Sequence, residues 1–75
     1  MEVVIYTNDG CSACARAKGF LKEHGVGFIE KNIADDATTR DELIGLGFRA
    51  VPVIKVGNDT MLGFSAARLR RMLGL

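Results

Sequence analysis

The sequence has no tryptophan, one proline, one histidine and two cysteines in 75 residues. So few cysteines exclude a disulfide-dense secreted scaffold, and a single proline excludes collagen-like or proline-rich chains. Long apolar runs are also missing. The longest, Val3-Val4-Ile5-Tyr6 and Ala50-Val51-Pro52-Val53-Ile54, fall far below the ~20 residues of a membrane-spanning helix. Neither sign of charge dominates: ten basic against nine acidic residues leave +1, a field too weak to imply nucleic acid or an anionic membrane as partner. The cluster Arg68, Arg70, Arg71 is read instead as the cationic end of a last helix, complementing its dipole. The N-terminus lacks the basic start, apolar middle and cleavage site of a secretory signal, so a cytoplasmic location is expected.

What is present is ordinary for a globular chain, 48% hydrophobic and 25% charged, which argues against disorder. The length allows one domain over residues 1–75, expected to act as a monomer. A domain of that size buries only about 60% of the surface its unfolded chain exposes.

Periodicity supplies the elements. Glu2 to Thr7 is β-branched and aromatic and stops at Asn8-Asp9-Gly10, a buried strand ending in a turn. From Cys11, Ala13, Ala17, Phe20 and Leu21 form an apolar stripe that ends near His24-Gly25, an amphipathic helix. Phe28 to Ile33 is a second strand. Thr39 with Glu42 three residues on reads as a capping box opening a second helix, with Leu43, Ile44 and Leu46 apolar and Gly47 as its stop. Val53 to Val56 and Thr60 to Leu62 form a hairpin through Gly57-Asn58-Asp59, and Ser65 caps a last helix carrying Ala66, Leu69, Met72 and Leu73. The order β-α-β-α-β-β-α predicts an α/β fold. A right-handed crossover makes the first two strands parallel and the hairpin adds an antiparallel pair, giving one mixed four-stranded sheet with helices on both faces.

The chemistry lies where the first strand hands over to the first helix. Cys11-Ser12-Ala13-Cys14 sets two thiols at i and i+3, on one helical face and within disulfide reach. A thiol of ordinary pKa near 8.5 is only about 3% thiolate at pH 7. The helix dipole, worth roughly 0.3 to 2 kcal/mol, and free N–H donors lower the pKa of Cys11 toward neutrality. Cys14, one turn inside, lacks those donors. Cys11 is therefore expected to attack and Cys14 to resolve. A purely structural disulfide closing so short a loop would stabilise little. Zinc needs four ligands, and besides the two cysteines only His24 is a soft candidate, about 15 Å along the helix. Two inert buried thiols are disfavoured by the turn before Cys11, which brings that residue near the surface.

Val4-Ile5-Tyr6-Thr7 leading into Cys-x-x-Cys, Gly47-Phe48-Arg49-Ala50-Val51-Pro52-Val53, and Gly63-Phe64 before the last helix together resemble the glutaredoxin family of the thioredoxin superfamily, most closely its NrdH-redoxin branch. The resemblance covers essentially the whole chain. It implies a thioredoxin fold, dithiol-disulfide oxidoreductase activity without metal or organic cofactor, and a protein disulfide as substrate, ribonucleotide reductase in the NrdH branch. It implies that Pro52 follows a cis bond beside Cys11 and turns the Val51 backbone toward substrate. Gly63 and Phe64 would lie against the substrate as well. Tyr6 either packs or lines the substrate groove. The reductant is thioredoxin reductase in the NrdH branch and glutathione in typical glutaredoxins, with Arg49 and Arg40 available for glutathione carboxylates. Two departures count against glutathione: Asn8-Asp9 stands where a cation is usual, and Gly63-Phe64-Ser65-Ala66 lacks the acidic residue that holds the γ-glutamyl end. The NrdH segment Trp-Ser-Gly-Phe-Arg-Pro is kept only as Gly63-Phe64. With no proline inside Cys11-Ser12-Ala13-Cys14 the site is more open, and iron-sulfur cluster binding between two chains is a further alternative. His24, at the far end of the helix, is expected to take no part in catalysis.

Overall fold

Five consecutive buried residues, Val3–Thr7, make strand β1. An apolar run without alternation suits a strand covered on both faces, and in a computed structural model describing residues 1–75 β1 is central in a sheet of order β2-β1-β3-β4. Around it stand α1 (Ser12–Glu23), β2 (Ile29–Asn32), α2 (Ala37–Gly45), β3 (Val53–Val56), β4 (Asp59–Leu62) and α3 (Ala66–Leu73), in the order expected. β1 pairs parallel with β2, Ile5 opposite Glu30, and antiparallel with β3, Tyr6 opposite Val53. The β3–β4 hairpin closes on Val56 and Asp59. Gly57 opens its two-residue loop at φ +59°, a backbone that side-chain-bearing residues rarely adopt and that matches the twist of a tight hairpin.

The alternation along β1 divides the core. Val3 and Ile5 join Ala17 and Leu21 of α1, Leu69 of α3 and Ile54, Val56 and Met61 in a cluster of 8 buried residues. Val4 and Tyr6 point the other way, to Val53 and to Leu43 of α2. Helices thus cover both faces, with α1 and α3 on one and α2 on the other. No helix is long and apolar enough to cross a membrane.

The start of α2 differs from the expected capping box at Thr39. Asp36 is the cap, its carboxylate accepting from the Thr38 N–H at 2.8 Å. Thr39 lies inside the helix, only 7% exposed, and Glu42 turns to Tyr6 and Lys31. An aspartate whose carboxylate reaches the amide two residues on satisfies an otherwise orphaned donor, so it outcompetes a threonine whose methyl is better buried. Gly47 ends the helix as expected. At φ +93° it lets its own N–H reach the Ile44 carbonyl at 2.9 Å and the Phe48 N–H reach Leu43 at 3.2 Å, the paired bonds of a left-handed helix stop.

Candidate active site

Cys11 occupies the cap position of α1, with extended backbone (φ −90°, ψ 106°). Its sulfur accepts from the Cys14 N–H at 3.1 Å and its carbonyl from the Ala15 N–H at 3.2 Å. A sulfur thus stands where serine or aspartate commonly caps, held by one of the helix's free donors. No acidic residue stands in the first turn to oppose negative charge there. Cys11 and Cys14 are joined as a disulfide with Cα atoms 5.2 Å apart, inside the range such a bridge requires. Their surroundings differ sharply: Cys14 is 2% exposed, while Cys11 is partly open to solvent.

A cleft of about 380 Å³ flanks the disulfide, lined by Asn8, Asp9, Ser12, Lys18, Glu30 and Asn32 among others. Its polar groups are tied to one another. The Lys18 ammonium meets Glu30 at 3.0 Å, the buried Thr7 hydroxyl donates to the same carboxylate at 2.8 Å, and the Asn32 amide donates to Asp9 at 2.9 Å. Lys18 and Thr7 hold the Glu30 carboxyl below its usual range. In the sequence this network has one local signal, the polar Thr7 closing an otherwise apolar strand.

Pairing of Tyr6 with Val53 sets Pro52 opposite Thr7, at the end of the sheet from which the Cys11 turn departs. The Val51–Pro52 bond is cis. Pro52 is buried and its carbonyl accepts from the Gly63 N–H at 2.8 Å, which brings Gly63 and Phe64 to the same end. The Val51 N–H and carbonyl make no hydrogen bond within the chain, so both are free for an extended partner. Phe64 leans edge-on against Phe20 at 5.9 Å.

Two expected site residues lie elsewhere. Tyr6 is 4% exposed and packs with Leu43 and Val53 on the α2 face, its hydroxyl donating to Glu42 at 3.2 Å; of the two roles open to it, it takes the packed one. Arg49 is exposed and shares with Arg40 a separate cleft of about 260 Å³ floored by Ile33, Leu43 and Ile44. His24 stays at the far end of α1, stacked on Phe20 at 4.1 Å with Nδ1 2.9 Å from the Phe20 carbonyl. No third histidine, cysteine or carboxylate converges with the two sulfurs, so the residues of one chain do not complete a four-ligand zinc or iron-sulfur site.

The family profile for glutaredoxin matches residues 3–61. The chain belongs to the glutaredoxin family. The glutaredoxin-like protein NrdH of Lactococcus lactis is 33% identical over 93% of this chain and 97% of its own length. Among solved structures, the NrdH-redoxin of Escherichia coli superposes with a TM-score of 0.86 at 28% identity, covering 95% of this chain and 93% of that one. A glutaredoxin of Archaeoglobus fulgidus gives 0.84 at 27% identity, covering 96% and 85%. This glutaredoxin-family protein has the thioredoxin-like fold and is a thiol-disulfide oxidoreductase, with Cys11 and Cys14 forming its redox-active disulfide.

Proposed function

We propose that the protein reduces protein disulfides, with Cys11 attacking, Cys14 resolving, and electrons supplied by thioredoxin reductase. The exposure contrast between the two sulfurs carries this reading. A substrate reaches only Cys11. The Cys11 thiolate bonds to one substrate sulfur as the substrate S–S bond breaks, and the departing sulfur leaves as a thiolate that takes up a proton. Cys14 then gives up its proton and attacks Cys11, forming the Cys11–Cys14 bond and releasing the second substrate thiolate. Two electrons have moved from the dithiol to the substrate. The free N–H and carbonyl of Val51 pair with the substrate backbone, beside Pro52, Gly63 and Phe64. No metal or organic cofactor enters these steps.

The choice of reductant rests on charge. Asp9 stands in the cleft beside Cys11 and disfavours an anionic tripeptide, and Gly63-Phe64-Ser65 offers no carboxylate for a γ-glutamyl amine. The Escherichia coli NrdH-redoxin, a glutaredoxin-like relative, has a thioredoxin-like activity profile. The NrdH likeness also points to ribonucleotide reductase as the acceptor. Glutathione is the second reading, favoured by the convergence of Arg40 and Arg49. A coupled assay of NADPH consumption separates them: faster recharging by thioredoxin reductase than by glutathione with glutathione reductase is expected, and the reverse order overturns the choice.

A further inference from the structure

Arg40, on α2, and Arg49, three residues ahead of Pro52, are both exposed and bond to no side chain or backbone group of the chain. Two lysines contrast with them: Lys18 of α1 and Lys31 of β2 are each spent on a glutamate. Arg68, Arg70 and Arg71 cluster on α3 but line no cleft, whereas Arg40 and Arg49 converge on one concavity of about 260 Å³. Its floor is apolar, formed by Leu43, Ile33 and Ile44, the last 47% exposed. The cleft lies toward the end of the sheet that carries the cysteines. Ile33 donates its N–H to the carbonyl of Thr7 at 2.9 Å, at the active end of β1, and Arg49 is two residues from Val51, at most about 7 Å along an extended chain.

We infer that this cleft is a specificity subsite for an acidic-apolar segment of the substrate protein, a carboxylate held by Arg40 and Arg49 beside a bulky apolar side chain on Ile33, Leu43 and Ile44, two or three residues from the reacting cysteine. The inference rests on the disulfide-reductase reading above. Guanidinium groups suit a carboxylate because they donate in a planar fork, and an apolar floor that excludes water strengthens the pairing. The cleft on the other side of Cys11 carries Asp9 and Glu30 against Lys18 alone, so the same acidic segment is repelled there. Polarity across the site thus fixes which way the substrate lies. Glutathione is the poorer occupant: neither of its carboxylates, on the glycine and on the γ-glutamyl residue, has a bulky apolar side chain beside it to cover the floor.

Single-turnover reduction by the pre-reduced protein tests this without involving any reductase. The substrates are disulfide peptides sharing one central cysteine, with Glu-Leu placed two residues before it or two residues after it, each matched by Lys-Leu, together with glutathione disulfide. One Glu-Leu placement is expected to react about tenfold faster than its Lys-Leu match, which corresponds to about 1.4 kcal/mol. The preference should decline with salt and reverse in the Arg40→Glu/Arg49→Glu variant. Equal rates in both placements, or an acidic preference that survives the charge reversal, overturn the proposal. So does a loss on glutathione disulfide as large as that on the Glu-Leu peptide, which would make the cleft a glutathione site. Should the double variant fail to fold by circular dichroism, Arg49→Gln and the salt series on the natural protein decide. Failure to reduce any peptide strikes the disulfide-reductase reading itself.

Discussion

Helix α1 and helix α2 cover opposite faces of one sheet and are held in different ways. The twelve residues of α1 bury Cys14, Ala17 and Leu21, the last two completely and within a cluster that α3 and three strands complete. The nine residues of α2 bury only Thr39 and Leu43. Its docking relies on a smaller cluster and on Glu42, which gathers the Tyr6 hydroxyl and the Lys31 ammonium at 2.7 Å. The reactive cysteines stand on the helix that apolar packing fixes. The helix that leans more on polar contacts, whose bonds are weaker and partly wet, carries the cleft shared by Arg40 and Arg49. The reactive sulfurs thus stand on the better-buried helix, and the proposed subsite on the less buried one.

The largest test of that division removes the sulfurs. Cys11→Ser is expected to abolish disulfide reduction, whereas Cys14→Ser should leave a mixed disulfide trapped on Cys11, identified by mass spectrometry of the substrate adduct. An adduct on any other residue would detach the chemistry from the start of α1.

Next in size is packing. Leu21→Ala opens a cavity in the tighter cluster and is expected to cost about 3–5 kcal/mol in urea unfolding, while Leu43→Ala, whose half-buried neighbours Ile33, Phe48 and Val51 can move in, should cost about 2–3 kcal/mol. Equal costs would mean that the two faces are equally fixed. Smaller again is the start of α2. Asp36→Ala should lower the thermal midpoint and speed amide exchange in the first turn of α2 while leaving α1 protected; no change would return the cap to Thr39.

That last comparison bears on what a sequence displays. The Cys-x-x-Cys junction, the Gly47 stop and the hairpin are written locally, since a cap, a left-handed turn and a tight loop each need particular residues in place. The α2 cap was misplaced because Thr39 and Glu42 have the right spacing while Glu42 is engaged across the fold, by Tyr6 and Lys31. The direction of Tyr6 could not be read at all: a strand apolar on both faces has no alternation to show which side faces which helix. Thr7, Glu30 and Lys18 meet only because the parallel crossover sets Ile5 opposite Glu30, and no residue in the crossover announces that register. The convergence of Arg40 and Arg49 depends in the same way on how α2 is docked.

The smallest expected effect lies in how pH weakens each face. On the α1 side, Lys18 and Thr7 hold the Glu30 carboxyl below its ordinary 4.5. A depressed acid stabilises the fold above that ordinary value, and the contribution is lost as pH falls through the lower folded value. The pair is partly exposed, so its worth is under about 1 kcal/mol and shrinks with salt. Glu42 on the α2 side is also depressed, by Lys31 first and then Tyr6, so both faces weaken in acid. The α2 face has an alkaline counterpart as well. Burial first, and then the bond to Glu42, raise Tyr6 above its ordinary 10.0, and Glu42 likewise raises Lys31. Groups raised in the folded state stabilise it below their ordinary values and stop doing so as pH rises through the folded ones. Thermal midpoints followed from pH 3 to 11 should therefore show an acid limb that Glu30→Gln reduces while the Glu42 share remains, and an alkaline limb that Tyr6→Phe reduces while the Lys31 share remains. An alkaline limb unchanged in Tyr6→Phe would show that the docking of α2 owes nothing to that hydroxyl, and the polar side of the contrast between the two helices would then rest on the Lys31–Glu42 pair.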